Sequence, residues 1–279
     1  WKGYNLWNLY DEAHTPLEWH KELFKYARKK GIQIFSTPFN ESAVDFLETL
    51  RCPIYKISSF EMTDLPLIKK VAKTSKPLII STGMADIPEI DETFNFAKKN
   101  GANDITLLYC VSNYPSETSD FNINNIHLLK SRYKCKVGLS DHSKNVEIAK
   151  AAIAAGAEVI EKHIALDQQK NGLDIDFSLK GKEIKEFRNA INSTFNLLGK
   201  NKFVRSDSEL KNKVFRRSIF AVKDIKKGEK FTSKNIRRIR PNFGVKPKFY
   251  SKLIGKTSPH NYSFGEPIRK KTLDSLKIK

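Results

Sequence analysis

The feature that most constrains the fold is a regular alternation, through residues 15 to 200, of short apolar runs with longer stretches of helical periodicity. The short runs read as strands at Ile32–Ser36, Ile54–Ile57, Leu78–Ser81, Ile105–Tyr109, Lys136–Leu139 and Glu158–Glu161. Amphipathic helices are predicted at Leu17–Lys30, Ser42–Leu50, Leu65–Thr74, Ile87–Asn100, Asn124–Tyr133, Val146–Ala155 and Lys182–Leu198. Glycines close several of these helices, as at Gly31, Gly101 and Gly156. Repeated βα units of this kind build a parallel sheet, because parallel strands need a crossover and a helix supplies it. The expected fold class is therefore α/β, of the TIM (β/α)8 barrel type, with six of the eight strands accounted for.

In such a barrel the chemistry sits at the C-terminal ends of the strands. Every predicted strand here ends in polar residues: Ser36-Thr37, then Lys56-Ile57-Ser58-Ser59 with Glu61 close behind, Ser81-Thr82, Ser112-Asn113-Tyr114, Ser140-Asp141-His142 and Glu161-Lys162-His163. One such end is often a helix cap or a turn. Six in succession predict a site.

His142 and His163 stand out, each ending an apolar run on what should be adjacent strands. On chemistry alone, a structural role and metal binding weigh equally for the pair. As ligands they would suit Mn, Co, Zn or Mg with water completing the shell, not a closed structural zinc site. Lys56, at the end of an apolar strand and before two serines, has the pattern of a phosphate or carboxylate cradle, and Thr37, Ser59, Ser81 and Ser140 would add hydroxyl donors. For Tyr114 the alternative is packing under the loop before Pro115, and for Glu61 it is capping the helix that begins at Leu65. Acids in Gly172-Leu173-Asp174-Ile175-Asp176-Phe177 read either as substrate contacts in a late loop or as ordinary solvation.

No apolar stretch of 18 residues occurs, which excludes a membrane-spanning helix. Cys52, Cys110 and Cys135 form no CxxC and cannot all pair, so they read as reduced thiols and point to the cytoplasm. The net charge of +19 is uneven: residues 214 to 279 hold 19 Lys and Arg against 4 acids. These cations fall in dipeptides such as Arg216-Arg217 and Lys270-Lys271, without aromatic interleaving, which reads as a solvated surface and not as a nucleic-acid site. The rival reading is a basic polyanion-binding protein built on an inert barrel. Domain organisation follows from the change of pattern: a barrel over residues 1–200, a charged linker over 201–213, and a small β-rich module over 214–279, with strands at Ser218–Val222 and Glu229–Phe231.

Taken together, Ser36-Thr37-Pro38-Phe39, Tyr55-Lys56-Ile57-Ser58-Ser59-Phe60-Glu61, Ser81-Thr82-Gly83-Met84, Tyr114-Pro115, Gly138-Leu139-Ser140-Asp141-His142 and Glu161-Lys162-His163 resemble the sialic acid synthase family. Within it, the pseudaminic acid synthase branch is the most similar, through Glu12-Ala13-His14-Thr15-Pro16-Leu17-Glu18-Trp19-His20 and Lys248-Phe249-Tyr250. The tail resembles that family's antifreeze-like (SAF) module, through Arg217-Ser218-Ile219-Phe220-Ala221, Lys223-Asp224-Ile225-Lys226-Lys227-Gly228-Glu229 and Arg240-Pro241-Asn242-Phe243-Gly244.

The resemblance implies a metal-dependent condensation of phosphoenolpyruvate with an amino-sugar aldehyde, releasing phosphate, in a domain-swapped homodimer. It implies that His142 and His163 hold the divalent metal (Mn, Mg or Co) and that Thr37, Lys56, Ser59, Ser81 and Ser140 bind phosphoenolpyruvate. Glu61, Tyr114 and Asp174 would contact the sugar, and Arg240 would reach the sugar of the neighbouring subunit. Ser112 stands where the neuraminic acid branch has Asn, which favours another sugar; a neuraminic or legionaminic acid synthase is the alternative. The family's first two strands carry a glutamate, a lysine and a glutamine that nothing here matches, and the chain opens on Trp1-Lys2-Gly3 and not on Met. The expectation is a barrel lacking its first two strands, poorly stable and inactive alone.

Overall fold

The computed structural model describes residues 5–279, so the Trp1-Lys2-Gly3 opening lies outside the described residues. Contacts divide the chain into two compact units between Gly199 and Lys200. No helix among the described residues is long and apolar enough to cross a membrane.

The first unit begins with helix α1 (Leu6–Ala13), whose start is capped by the Asn5 side chain accepting from the Trp7 amide. The sequence reading missed α1, an eight-residue helix of which only Leu9 is buried. Next come α2 (Leu17–Lys30), closed by Gly31 in the left-handed conformation, and α3 (Glu41–Thr49), capped by Asn40. There follow β1 (Tyr55–Ile57), α4 (Leu65–Ala72), β2 (Leu78–Ser81), α5 (Ile87–Lys99), β3 (Ile105–Cys110), α6 (Asn124–Tyr133), β4 (Lys136–Asp141), α7 (Val146–Ala154) and β5 (Val159–Lys162). The capping oxygens of α4, α5 and α7 come from Asp64, Asp86 and Asn145, so each helix starts where its first orphan amides find an acceptor.

The strands form one parallel sheet in the order β1-β2-β3-β4-β5, an open arc of a barrel with α4 to α7 as crossovers. All six residues of β3 are buried, as expected for a parallel strand covered on both faces. The core packs Val44, Leu47, Tyr55, Ile57, Leu67, Ile80, Leu107, Val137 and Leu139 between sheet and helices. Gly138 is required where β4 meets β5: a Cβ there would come within 3 Å of the Val159 carbonyl oxygen and Cβ.

Two strand expectations are corrected. Ile32–Ser36 is not a strand; it makes one parallel bridge, Ser36 to Tyr55, a register that sets Pro38 opposite Ile57 and Pro53 opposite Ile34, and proline has no amide to donate to a ladder. The run read as Lys136–Leu139 continues to Asp141, which places Ser140 and Asp141 in the ladder with Glu161 and Lys162. Beyond β5 a two-residue strand, β6 (Ile164–Ala165), pairs in parallel with β7 (Leu179–Lys180), followed by α8 (Lys182–Leu198). That pairing, with the Leu179 amide donating to the His163 carbonyl at 2.9 Å, turns the acidic 172–177 segment back toward the end of β5.

In the second unit the linker read as irregular holds a short helix, α9 (Asp207–Lys211), capped by Ser206. Strand β8 (Ser218–Ala221) pairs antiparallel with β9 (Ile236–Ile239), and α10 (Tyr250–Leu253) and α11 (Lys270–Ser275) follow. The expected strand Glu229–Phe231 makes only an isolated bridge from Lys230 to Thr257; Gly228 (φ 92) before it and the turn at Thr232–Asn235 after it leave no room for a ladder. A separate core of Ile219, Ile225, Phe231, Ile236, Leu253, Tyr262 and Ile268 fills this unit.

Candidate functional site at the strand ends

Alternation along β4 and β5 decides which side chains meet. Ser140 and His142 share one face of β4, and Glu161 and His163 the matching face beside β5, since Ser140 registers with Glu161. Ser140 Oγ donates to Glu161 Oε1 at 2.7 Å, and Lys56 Nζ, reaching from β1, donates to the same oxygen at 3.1 Å. The Lys56 side chain is only 9% exposed against 35% for Glu161, so the ammonium is drawn from water and the carboxylate stands at the rim. A cavity of 520 Å³ is lined by Lys56, Glu161 and Thr37. A larger cavity of 860 Å³ lies within the second unit, but the cations around it are exposed and none of the expected site residues lines it.

Next to this cluster the two imidazoles face each other edge to face, with ring centroids 5.3 Å apart. His142 Nδ1 lies 3.0 Å from the Val111 carbonyl oxygen, which can only accept, so Nδ1 carries a proton and, in the neutral ring, Nε2 has the lone pair. His163 Nδ1 faces Asp174 Oδ2 at 3.5 Å. Burial opposes charge on both rings. At His142 the Cys110 sulfur and the Val111 carbonyl outweigh it and raise the pKa above the ordinary value. At His163 burial, with His142 as a neighbouring cation, outweighs the Asp174 carboxylate, and the pKa falls. The Tyr114 ring lies tilted against His142 with centroids 4.3 Å apart, and burial, followed by the nearby Cys110, pushes its phenol up to about 12, so it remains a donor at neutral pH.

The donor set fits a divalent cation. An imidazole whose Nδ1 is held by an oxygen acceptor, as His142 is by the Val111 carbonyl, presents Nε2 as a metal ligand, and the Asp174 carboxylate lies near Nδ1 of His163. Asp174 Oδ1 is buried beside them with no hydrogen-bond partner. Among the described residues no group of three or more His, Cys, Asp and Glu is placed to hold a metal, so these two imidazoles would need other ligands to complete a shell.

The other expected residues distribute as follows. Ser59 Oγ accepts from the Gly83 amide at 3.1 Å, and a Cβ at Gly83 would collide with Ser112 Oγ and Ser59 Oγ, so this glycine lets the ends of β1, β2 and β3 close together. Ser112 lies 3.8 Å from Cys110 Sγ. Ser81 Oγ is buried without a hydrogen-bond partner. Glu61 accepts from Ser58 and does not cap α4, whose cap is Asp64, so that rival explanation falls. Arg240 lies in the second unit, exposed after β9.

Three participants had no assignment in the sequence reading. Glu161 was detectable, since it lies two residues before His163 and so shares its face. Cys110, 3.9 Å from His142 Nδ1, was detectable only as a strand end. Phe177, with its ring 5.0 Å from His163 and 6.0 Å from His142, had no local signal, because the β6–β7 clasp brings it there.

Fold and site together define a (β/α) barrel-type protein with a cluster of polar side chains at its strand ends, joined to a small β-rich module. Comparison with known proteins agrees. The NeuB family model matches residues 1–203 and the SAF domain model residues 216–274. The pseudaminic acid synthase of Campylobacter jejuni subsp. jejuni serotype O:2 is 40% identical over 269 residues, covering 96% of this chain and 78% of that protein. The N,N'-diacetyllegionaminic acid synthase of the same organism is 42% identical over 264 residues, covering 94% of this chain and 79% of that protein. The crystal structure of a putative spore coat polysaccharide biosynthesis protein E from Chromobacterium violaceum superposes with a TM-score of 0.78 at 26% identity, covering 94% of this chain and 80% of that one. The chain belongs to the NeuB family.

Proposed function

We propose that the protein is a pseudaminic acid synthase of the cytoplasm. It joins phosphoenolpyruvate to 2,4-diacetamido-2,4,6-trideoxy-altropyranose in its open-chain form and releases phosphate. The observation that carries the reading is the interlocked Lys56, Ser140 and Glu161 cluster beside two facing imidazoles, at the C-terminal ends of neighbouring parallel strands.

His142 and His163 would hold Mn, Mg or Co, and a divalent ion there supplies Lewis-acid polarisation of the sugar aldehyde. Lys56, with hydroxyls from Thr37, Ser59, Ser81 and Ser140, binds the anionic groups of phosphoenolpyruvate and keeps them paired as charge shifts. Glu61, Tyr114, Ser112 and Asp174 orient the sugar, with the protonated Tyr114 phenol as a donor. The enol carbon of phosphoenolpyruvate attacks the aldehyde carbon, forming the new C–C bond, and the aldehyde oxygen takes up a proton. Water adds to the oxocarbenium carbon left behind, and phosphate departs by cleavage of that carbon's bond to the bridging oxygen. Arg240 completes the sugar site from the other protomer of a homodimer.

The full-length enzyme, supplied with manganese, phosphoenolpyruvate and each candidate sugar in turn, is expected to release phosphate with the diacetamido-altropyranose. Release with N-acetylmannosamine alone would place the chain in the neuraminic branch and sink the proposal.

A further inference from the structure

Asp141 and Lys162 point away from the face that carries the histidines, because each lies one residue before its histidine along β4 or β5. They are cross-strand partners in the register, and their side chains pair at 3.1 Å with exposures of 0% and 7%. Among the described residues this is the one ion pair with both side chains buried to that degree. Such pairs are costly to bury, and an apolar pair of similar size often folds at least as well, so folding alone does not account for it.

The contacts around the pair indicate what it does. Asp141 Oδ1 accepts from the Ser143 amide at 2.8 Å, and Lys162 Nζ donates to the Ser143 carbonyl oxygen. Asp141 Oδ2 has no hydrogen-bond partner, so the ammonium alone compensates it. Ser143 Oγ donates to the Asn145 carbonyl at 3.3 Å, and Asn145 caps α7 by accepting from the Glu147 amide at 2.9 Å. The pair thus pins the turn that leaves His142 to the strand that carries His163, and both to the start of a helix.

We propose that Asp141 and Lys162 are positioning residues for the imidazole pair. Their ion pair fixes the ends of β4 and β5 so that the two Nε2 atoms are presented together. The proposal rests on the reading of His142 and His163 as cation ligands.

The test is manganese affinity, measured by calorimetry on the full-length enzyme without substrate, for Asp141→Asn, Lys162→Met and the double variant. The double variant leaves no buried charge unpaired, and circular dichroism checks that it folds. Affinity is expected to fall roughly 10-fold or more in each variant, the size seen when partners behind metal ligands are removed. The KM for phosphoenolpyruvate, which Lys56 and its hydroxyls govern, should change far less. A folded double variant that binds manganese as tightly as wild type overturns the proposal, and a double variant that cannot fold does so too, since the pair would then be structural. His142→Ala and His163→Ala serve as a separate control: wild-type manganese affinity in both would refute the cation site itself, independently of the clamp.

Discussion

Lys56 and Glu161 form the most consequential side-chain contact at the site, because an ammonium with only 9% exposure must keep an anionic partner. Lys56→Met removes the cation that phosphoenolpyruvate would share with Glu161. Loss of one charge-assisted hydrogen bond is worth about 1.5–3 kcal/mol, so KM for phosphoenolpyruvate should rise about tenfold or more, read in steady-state phosphate release. Manganese affinity should not follow. Phe177 tests packing in place of charge: it is 4% exposed and touches both imidazoles and Tyr114. Phe177→Ala is expected to cost about 3 kcal/mol in urea unfolding, as buried aromatics do.

At the scale of elements, the strand ends are held by devices outside the site. Glu48 on α3 accepts from Tyr55 on β1 and pairs with Lys76 just before β2. Burial works to raise its pKa, but the Lys76 and Tyr55 hydrogen bonds outweigh it and hold the carboxyl below the ordinary 4.5. A depressed carboxyl contributes stability that is present above the ordinary value and is lost as pH falls through the lower one. The melting temperature of wild type should therefore fall faster below about pH 4.5 than that of Glu48→Gln, with the two curves converging in acid. The helix starts were readable for the same kind of reason. Asp86 and Glu89 form a capping box by their three-residue spacing alone, and Asp86→Ala should cost about 1 kcal/mol in urea unfolding. The run Ile32–Ser36 was apolar enough to read as a strand, yet pairing depends on the register in which it meets its neighbour, which no local pattern reports.

For the whole molecule, the proposed dimer makes a prediction of its own. If Arg240 of one protomer completes the site of the other, then full-length His142→Ala and Arg240→Ala proteins, each inactive alone, should regain activity when mixed and allowed to exchange subunits. No recovery on mixing, with exchange confirmed by mass, would place Arg240 in its own protomer's site. The charge of residues 214 to 279 has a plain physical account: every lysine and arginine there is exposed, so those cations are solvated.

The sequence by itself determined the alternation of β1 to β5 with α4 to α7, the parallel sheet and the polar strand ends, because periodicities of 3.6 and 2 and the capping residues act over a few neighbours. It also carried the family resemblance, and with it the histidines and Lys56. Only the tertiary structure decided which of these side chains meet. Lys56 finds Glu161 across 105 residues of sequence, Phe177 returns over the imidazoles because β6 pairs with β7, and Asp141 faces Lys162 because the register aligns them. Those contacts depend on strand register and loop closure, which are set by packing across the whole sheet and leave no mark within any one segment of the chain.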